Sequence, residues 1–256
     1  MTGDPALYQP AQRVLDYLAA TQHPEHGGWR YVPGMNADLS VTGWQTAALR
    51  SGELAGLTVR PETFARIGEC LEMCRDTGGN PSLFRYNPWA SADDPLTRHG
   101  LRPSTVMTAV GLTMQFHLED AMPGEPLPSS GAHLAANLPE VGTSRNAADT
   151  GTLGNPLRDT YYWYYGTQAM FYLGGESWQR WSRQLERVLV DSQETAGRLA
   201  GSWDPLRPVP DKWAPYGGRL YVTAMNLLSL EIRNRHLQFD AAEAPQIAER
   251  LDETPR

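Results

Sequence analysis

The sequence predicts an all-α fold, and three observations carry that prediction. Leucine-rich stretches recur at helical spacing, no stretch alternates apolar and polar residues for any length, and one helix-plus-turn unit recurs along the chain. The first copy is VLDYLAATQHPEHGGWRY from Val14. An amphipathic helix ends near Gln22, and a glycine-rich turn closes on Trp29. The second is QLERVLVDSQETAGRLAGSWDP from Gln184, with Gln193 and Trp203 in the same places. A degenerate copy, RIGECLEMCRDTGGNPSLFRYNPW from Arg66, keeps the turn and loses the glutamine. There Phe84-Arg85-Tyr86 stands in for Trp29-Arg30-Tyr31.

Each unit is followed by a more uniformly apolar helix. These are LSVTGWQTAALRSG, STVMTAVGLTMQFHL, DTYYWYYGTQAMFYLGG and RLYVTAMNLLSLEIRNRHL, rich in Ala, Gly, Thr and Leu with few charges. A helix covered on most sides needs that composition, so all four are expected in an inner layer. A third outer helix is expected at GAHLAANLP from Gly131, after the Pro- and Ser-rich loop MPGEPLPSSG. Four outer and inner pairs at a period of roughly 50 residues point to an α/α toroid of stacked hairpins around a central cavity. One such domain is expected over 1–239, with a polar tail over 240–256.

Composition narrows the function. The 256 residues are 41% hydrophobic and 20% charged, enough to bury a sizeable core. A formal net charge of -7 with scattered arginines argues against nucleic acid as a partner. The N-terminal MTGDPALYQP has no secretory pattern, and no segment approaches the roughly 18 apolar residues of a membrane span. The chain is therefore expected to be cytoplasmic. Cys70 and Cys74 stand one helical turn apart, a poor geometry for a disulfide, and are read as reduced packing thiols.

The Gln-to-Gly-x-Trp units resemble the QW repeats of squalene-hopene cyclases. The chain from about Gln9 to Leu237 is similar to the repeat superfamily of terpenoid cyclases and protein prenyltransferases. More narrowly, DLSVTGWQTAALRSGELAGL, RDTYYWYYGTQAMF and GSWDP followed by GGRLYVTA resemble toroid domains of planctomycete-type bacterial proteins of unassigned function. Four hairpins are fewer than the resemblance implies for a closed ring, so a partial ring, a ring-closing homo-oligomer or a piece of a longer chain is expected.

The resemblance implies catalytic positions that this sequence replaces. Cyclases open an inner helix with Asp-x-Asp-Asp-Thr-Ala, whose carboxylic acid protonates an alkene. In DLSVTG only Asp38 matches, and Ser40 and Val41 replace the next two. Prenyltransferases hold zinc with Asp-x-Cys and a histidine, where Asp159, Tyr161 and Val222 stand here. His23 and His26 have loop spacing without a surrounding ligand set, so no metal is expected. A complement-type Cys-Gly-Glu-Gln thioester, a Gly-x-Ser-x-Gly elbow and a phosphate-binding loop are absent, and no cofactor is expected.

Five consecutive aromatics, Tyr161 to Tyr165, pass once around a helix, so they cannot all face one cavity. Each ring either packs in the core or lines a pocket. A shared face for Tyr162, Tyr165 and Ala169 would leave Tyr161 and Tyr164 toward the outer layer, with Trp163 between. Trp44 and Gln45 are placed to point inward together, as is Tyr221. Asp38 and Asp159 read most simply as N-caps, worth about 1 kcal/mol, and Asp204 as a cap of the SWDP turn.

Two functions follow as expectations. One is a non-catalytic binding or interaction domain, holding a protein partner or an apolar, cationic or peptide ligand on Trp44, Gln45, Tyr162, Trp163, Tyr165 and Tyr221. Cation-π contacts would add about 0.5 to 2 kcal/mol per ring. The alternative is an enzyme on an isoprenoid or glycan-like substrate, with Asp159, Asp38 or Asp204 as acid or base.

Overall fold

The computed structural model describes residues 4–118, 129–141 and 158–235. The 240–256 tail lies outside them. Among the described residues the fold is all-α, with nine α-helices and one two-stranded sheet. No helix among them is long and apolar enough to cross a membrane. The chain divides into two compact units, 1–120 and 121–256.

The first unit holds α1 (Tyr8–Thr21), α2 (Leu39–Leu54), α3 (Pro61–Met73), β1 (Phe84–Arg85), β2 (Pro103–Ser104) and α4 (Thr105–His117). The strands are antiparallel, with Phe84 opposite Ser104. Helix α2 packs against α1, α3 and α4, and α4 also packs on the strands. Every residue from Thr105 to Met114 is buried, as expected of an inner helix. Gly111 makes this possible on one side, because a Cβ there would come within 2.6 Å of the Phe84 ring. Cys70 and Cys74 are free and buried, and the Cys70 contact together with burial pushes the Cys74 thiol up.

The second unit holds α5 (Ser129–Ala136), α6 (Thr160–Leu173), α7 (Gly175–Ser192), α8 (Ala214–Leu230) and α9 (Ile232–Arg235). Helix α6 packs against α5, α7, α8 and α9, and from Thr160 to Tyr172 only Tyr164 is not fully buried. That is why its run is aromatic. A helix walled in all round has no face on which a charge stays hydrated, and large rings fill the surrounding space.

Two of the four helices expected in an inner layer are not covered on most sides. Helix α2 buries Leu39, Thr42, Thr46 and Leu49, while Trp44 and Leu54 on its other side are exposed. Helix α8 buries Val222, Met225 and Asn226 and exposes Leu220 and Leu227. Low charge marks a helix that can be buried, not one that is.

The repeated turns share one wiring. The Trp29 indole donates to the carbonyl of Leu18 at 2.9 Å, and the Trp203 indole to that of Leu189 at 2.9 Å. Gln22 donates to the Gly27 and Thr63 carbonyls, and Gln193 to that of Gly201. The backbone N–H of each turn aromatic then donates to a threonine on the helix that follows: Trp29 to Thr42, Phe84 to Thr108, Trp203 to Thr223, at 3.1, 3.2 and 3.3 Å. In the degenerate copy Arg75 does the missing glutamine's work. Its guanidinium bonds the Pro81 carbonyl and lies 4.8 Å over the Phe84 ring. These turns satisfy carbonyls at helix ends and fix where the following helix begins.

Candidate functional site

Each expected acid is a local cap first. Asp38 caps α2: Oδ1 accepts from the Val41 N–H at 2.8 Å, and Oδ2 from the Tyr86 hydroxyl at 3.1 Å. The Arg30 guanidinium lies 3.6 Å from Oδ2 and over the Tyr31 and Tyr86 rings. Asp38 is wholly buried, and burial raises its affinity for a proton against these bonds. Asp204 caps its turn through Oδ1 and the Leu206 N–H, while Oδ2 pairs with Arg207 at 2.8 Å and Arg219 at 3.4 Å. The Leu206 N–H and these cations hold it below the usual carboxylate range.

Asp159 differs. Its Oδ1 caps α6 by accepting from the Tyr162 N–H at 3.1 Å, but Oδ2 is buried without a hydrogen-bond donor among the described residues. Its partner is the Lys212 ammonium, 3.5 Å away. The Asp159 side chain is 2% exposed and that of Lys212 42%.

The loop that carries Lys212 is fastened to the start of α6. Arg158 is buried, and its guanidinium donates to the carbonyls of Asp204, Arg207 and Val209. The Lys212 N–H donates to the Arg158 carbonyl, and the Asp211 N–H to that of Pro205. Asp211, 1% exposed, clamps both sides: Oδ2 accepts from the Thr160 N–H at 3.0 Å and Oδ1 from the Trp213 N–H at 2.9 Å. Burial, with the Asp159 charge adding to it, raises the proton affinity of Asp211.

Aromatic rings continue from this corner. The Lys212 ammonium is 5.5 Å over Trp213, the Trp213 and Tyr161 rings are 6.2 Å apart, and Tyr161 meets Tyr165 at 4.9 Å. Burial, and then the charges of Asp159 and Asp211, push the Tyr221 hydroxyl up. The Trp213 indole N–H is buried and donates to no group among the described residues. The corner therefore combines two buried carboxylates, one part-exposed ammonium and a cluster of packed rings, of which Tyr161 and Tyr165 are buried.

The chain matches no protein-family model, no curated protein and no solved structure. What the protein does must be argued from its own groups.

The expected ligand residues divide. Tyr165 joins the Asp159 corner through Tyr161, which packs toward Trp213, and Tyr221 lies within reach of the Asp159 and Asp211 charges. Residues four apart share a helix face more closely than residues three apart, so Tyr165 pairs with Tyr161. Tyr162 packs edge-on to Trp181 of α7 and donates to the Asn137 carbonyl after α5. Trp163 is 1% exposed and lies in the core. Trp44 is 38% exposed, while Gln45 borders a separate cleft of about 120 Å³ with Tyr17, Trp29, Arg30, Tyr31 and Met35. Trp44 and Gln45 do not point inward together. That cleft is far below the roughly 300 Å³ at which small-molecule pockets begin.

His23 and His26 stack 4.0 Å apart, with Trp89 3.9 Å beyond His26. Both Nδ1 atoms accept backbone N–H bonds, from Glu25 and His26 and from Ala37. Among the described residues no three His, Cys, Asp or Glu groups converge as metal ligands. Sequence reading missed Arg158, Asp211, Lys212 and Trp213. The stretch PDKWAP offers a cap-like aspartate before a helix, but no spacing ties it to Asp159.

Proposed function

We propose that the chain is a non-catalytic ligand-binding domain related to the squalene-cyclase and prenyltransferase repeat superfamily, with its ligand site at the start of α6. The superfamily relation is supported by the shared wiring of three turns, each tying its aromatic to a threonine of the helix that follows. One observation carries the site. Among the carboxylate oxygens of Asp38, Asp159, Asp204 and Asp211, only Asp159 Oδ2 accepts no hydrogen bond. A buried acceptor left unmade costs about 1 to 3 kcal/mol, more when charged, and a ligand that supplies a donor recovers it.

Binding is favoured over chemistry because the second acid is immobilised. Both Asp211 oxygens are held by backbone N–H groups, so Asp211 supplies charge and cannot reach a reacting atom. A second reading, an enzyme that uses Asp159 as acid or base, is favoured by the buried Oδ2, which no hydrogen bond occupies.

The test is a thermal-shift panel of apolar, cationic and peptide compounds on the wild type and on Asp159→Asn, which keeps the cap. A compound that stabilises only the wild type and emerges unchanged supports binding. Conversion of a compound by the wild type, abolished in Asp159→Asn, replaces it with the enzymatic reading.

A further inference from the structure

We infer that the Asp159 site takes a primary alkylammonium group, and that Lys212 is a tethered stand-in for that group, displaced when the ligand enters. This rests on the binding reading above and specifies its ligand.

The geometry of the ion pair carries the inference. Charge-assisted N–H to carboxylate bonds close to about 2.7 to 2.9 Å. Lys212 stops at 3.5 Å and gives Oδ2 no hydrogen bond, although the carboxylate is almost wholly buried. A bridge built for stability would close that gap. The Lys212 backbone N–H is bonded to the Arg158 carbonyl, so its ammonium reaches Oδ2 from a fixed point on the chain. An ammonium on a free molecule carries no such tether and can approach to bonding distance.

The surroundings select the same chemistry. Asp159 and Asp211 set two buried carboxylates at this corner; of the cations beside them, Arg158 is buried and tied to backbone carbonyls, while Lys212 is 42% exposed and so replaceable. Trp213 lies under the ammonium at 5.5 Å and can lie under a replacing ammonium in the same way, with the buried Tyr161 and Tyr165 rings packed behind it. An N–H donor is required because Oδ2 lacks one, which favours a primary over a quaternary ammonium. A free amine and a lysine side chain of a partner offer the same group.

The experiment titrates n-butylammonium chloride, Nα-acetyl-lysine methylamide, tetramethylammonium chloride and sodium chloride into the wild type, Lys212→Ala and Lys212→Met. Melting temperature and Trp fluorescence are the readouts. Removing the stand-in should tighten n-butylammonium binding at least tenfold, with tetramethylammonium weaker. Asp159→Asn in the Lys212→Met background should abolish it. Tighter binding of the lysine derivative than of the free amine assigns the ligand to a partner chain, and the reverse to a small amine. If both folded Lys212 variants respond to n-butylammonium no more than to sodium chloride, the inference is overturned. n-Butanol separates the two readings. Saturable binding of the alcohol but not the amine removes the ammonium and leaves a ligand site, whereas neither binding removes both.

Discussion

Asp159 Oδ2 lies 3.5 Å from the Lys212 ammonium and accepts no hydrogen bond, at the buried start of the most enclosed helix in its unit. The other oxygen of the same carboxylate caps that helix. One side chain thus divides between a structural atom and an available one, and substitutions can separate the two.

Asn at position 159 retains an oxygen for the Tyr162 N–H, and Ala does not. Both remove the charge opposite Lys212. Asp159→Ala should therefore be less stable than Asp159→Asn by about 1 kcal/mol, the usual worth of an N-cap, in urea unfolding. Equal stabilities would show that the cap contributes nothing.

Thr42 is fully buried, and its hydroxyl receives the Trp29 N–H across the first turn. Valine has nearly the same shape and no acceptor. Thr42→Val should lower stability by about 1 to 3 kcal/mol because the Trp29 N–H loses its partner without regaining water. A change below about 0.5 kcal/mol would mean that the turn is held by other contacts.

Burial first, and then the neighbouring His23, lower the affinity of His26 for a proton below its ordinary value of 6.5. The unfolded chain then binds more protons than the native state between 6.5 and the lowered native value, so stability rises with pH there. Stability present above about pH 6.5 should fall as the pH drops through this window. His26→Asn should flatten that slope in urea midpoints measured between pH 7.5 and 5.5, and an unchanged slope would assign it to other groups.

Gly166 lets Trp181 lie against α6: a Cβ there would meet the ring at 2.5 Å. Trp181 is fully buried and its indole donates to Thr167 at 3.0 Å, so it has little room to yield. Gly166→Ala should cost about 1 to 3 kcal/mol through overpacking, despite alanine's better helix propensity. A more stable variant in thermal melts would show that Trp181 can shift.

What could be read in advance followed from range along the chain. Helices α1, α3 and α7 were legible from leucine spacing, and the caps at Asp38 and Asp159 from a residue type standing next to a helix. The turn wiring was legible in part, since Gln22, Gln193 and both tryptophans announce it, while Arg75 fills the glutamine's place with a different chemistry. The partners of Asp159 were not legible. Asp211 clamps Thr160 across 51 positions, and Lys212 arrives with it, because a buried arginine pins the intervening loop. Nor could composition tell that α2 and α8 expose one side, since Trp44 and Leu220 read like core residues.

The most direct measurement is native mass spectrometry of the gently purified protein beside its Asp159→Asn form, with extraction of anything bound. A small molecule carried by the wild type and missing from the folded variant is the expected result. Two empty proteins, or the same molecule held equally by both, would contradict a ligand site at Asp159.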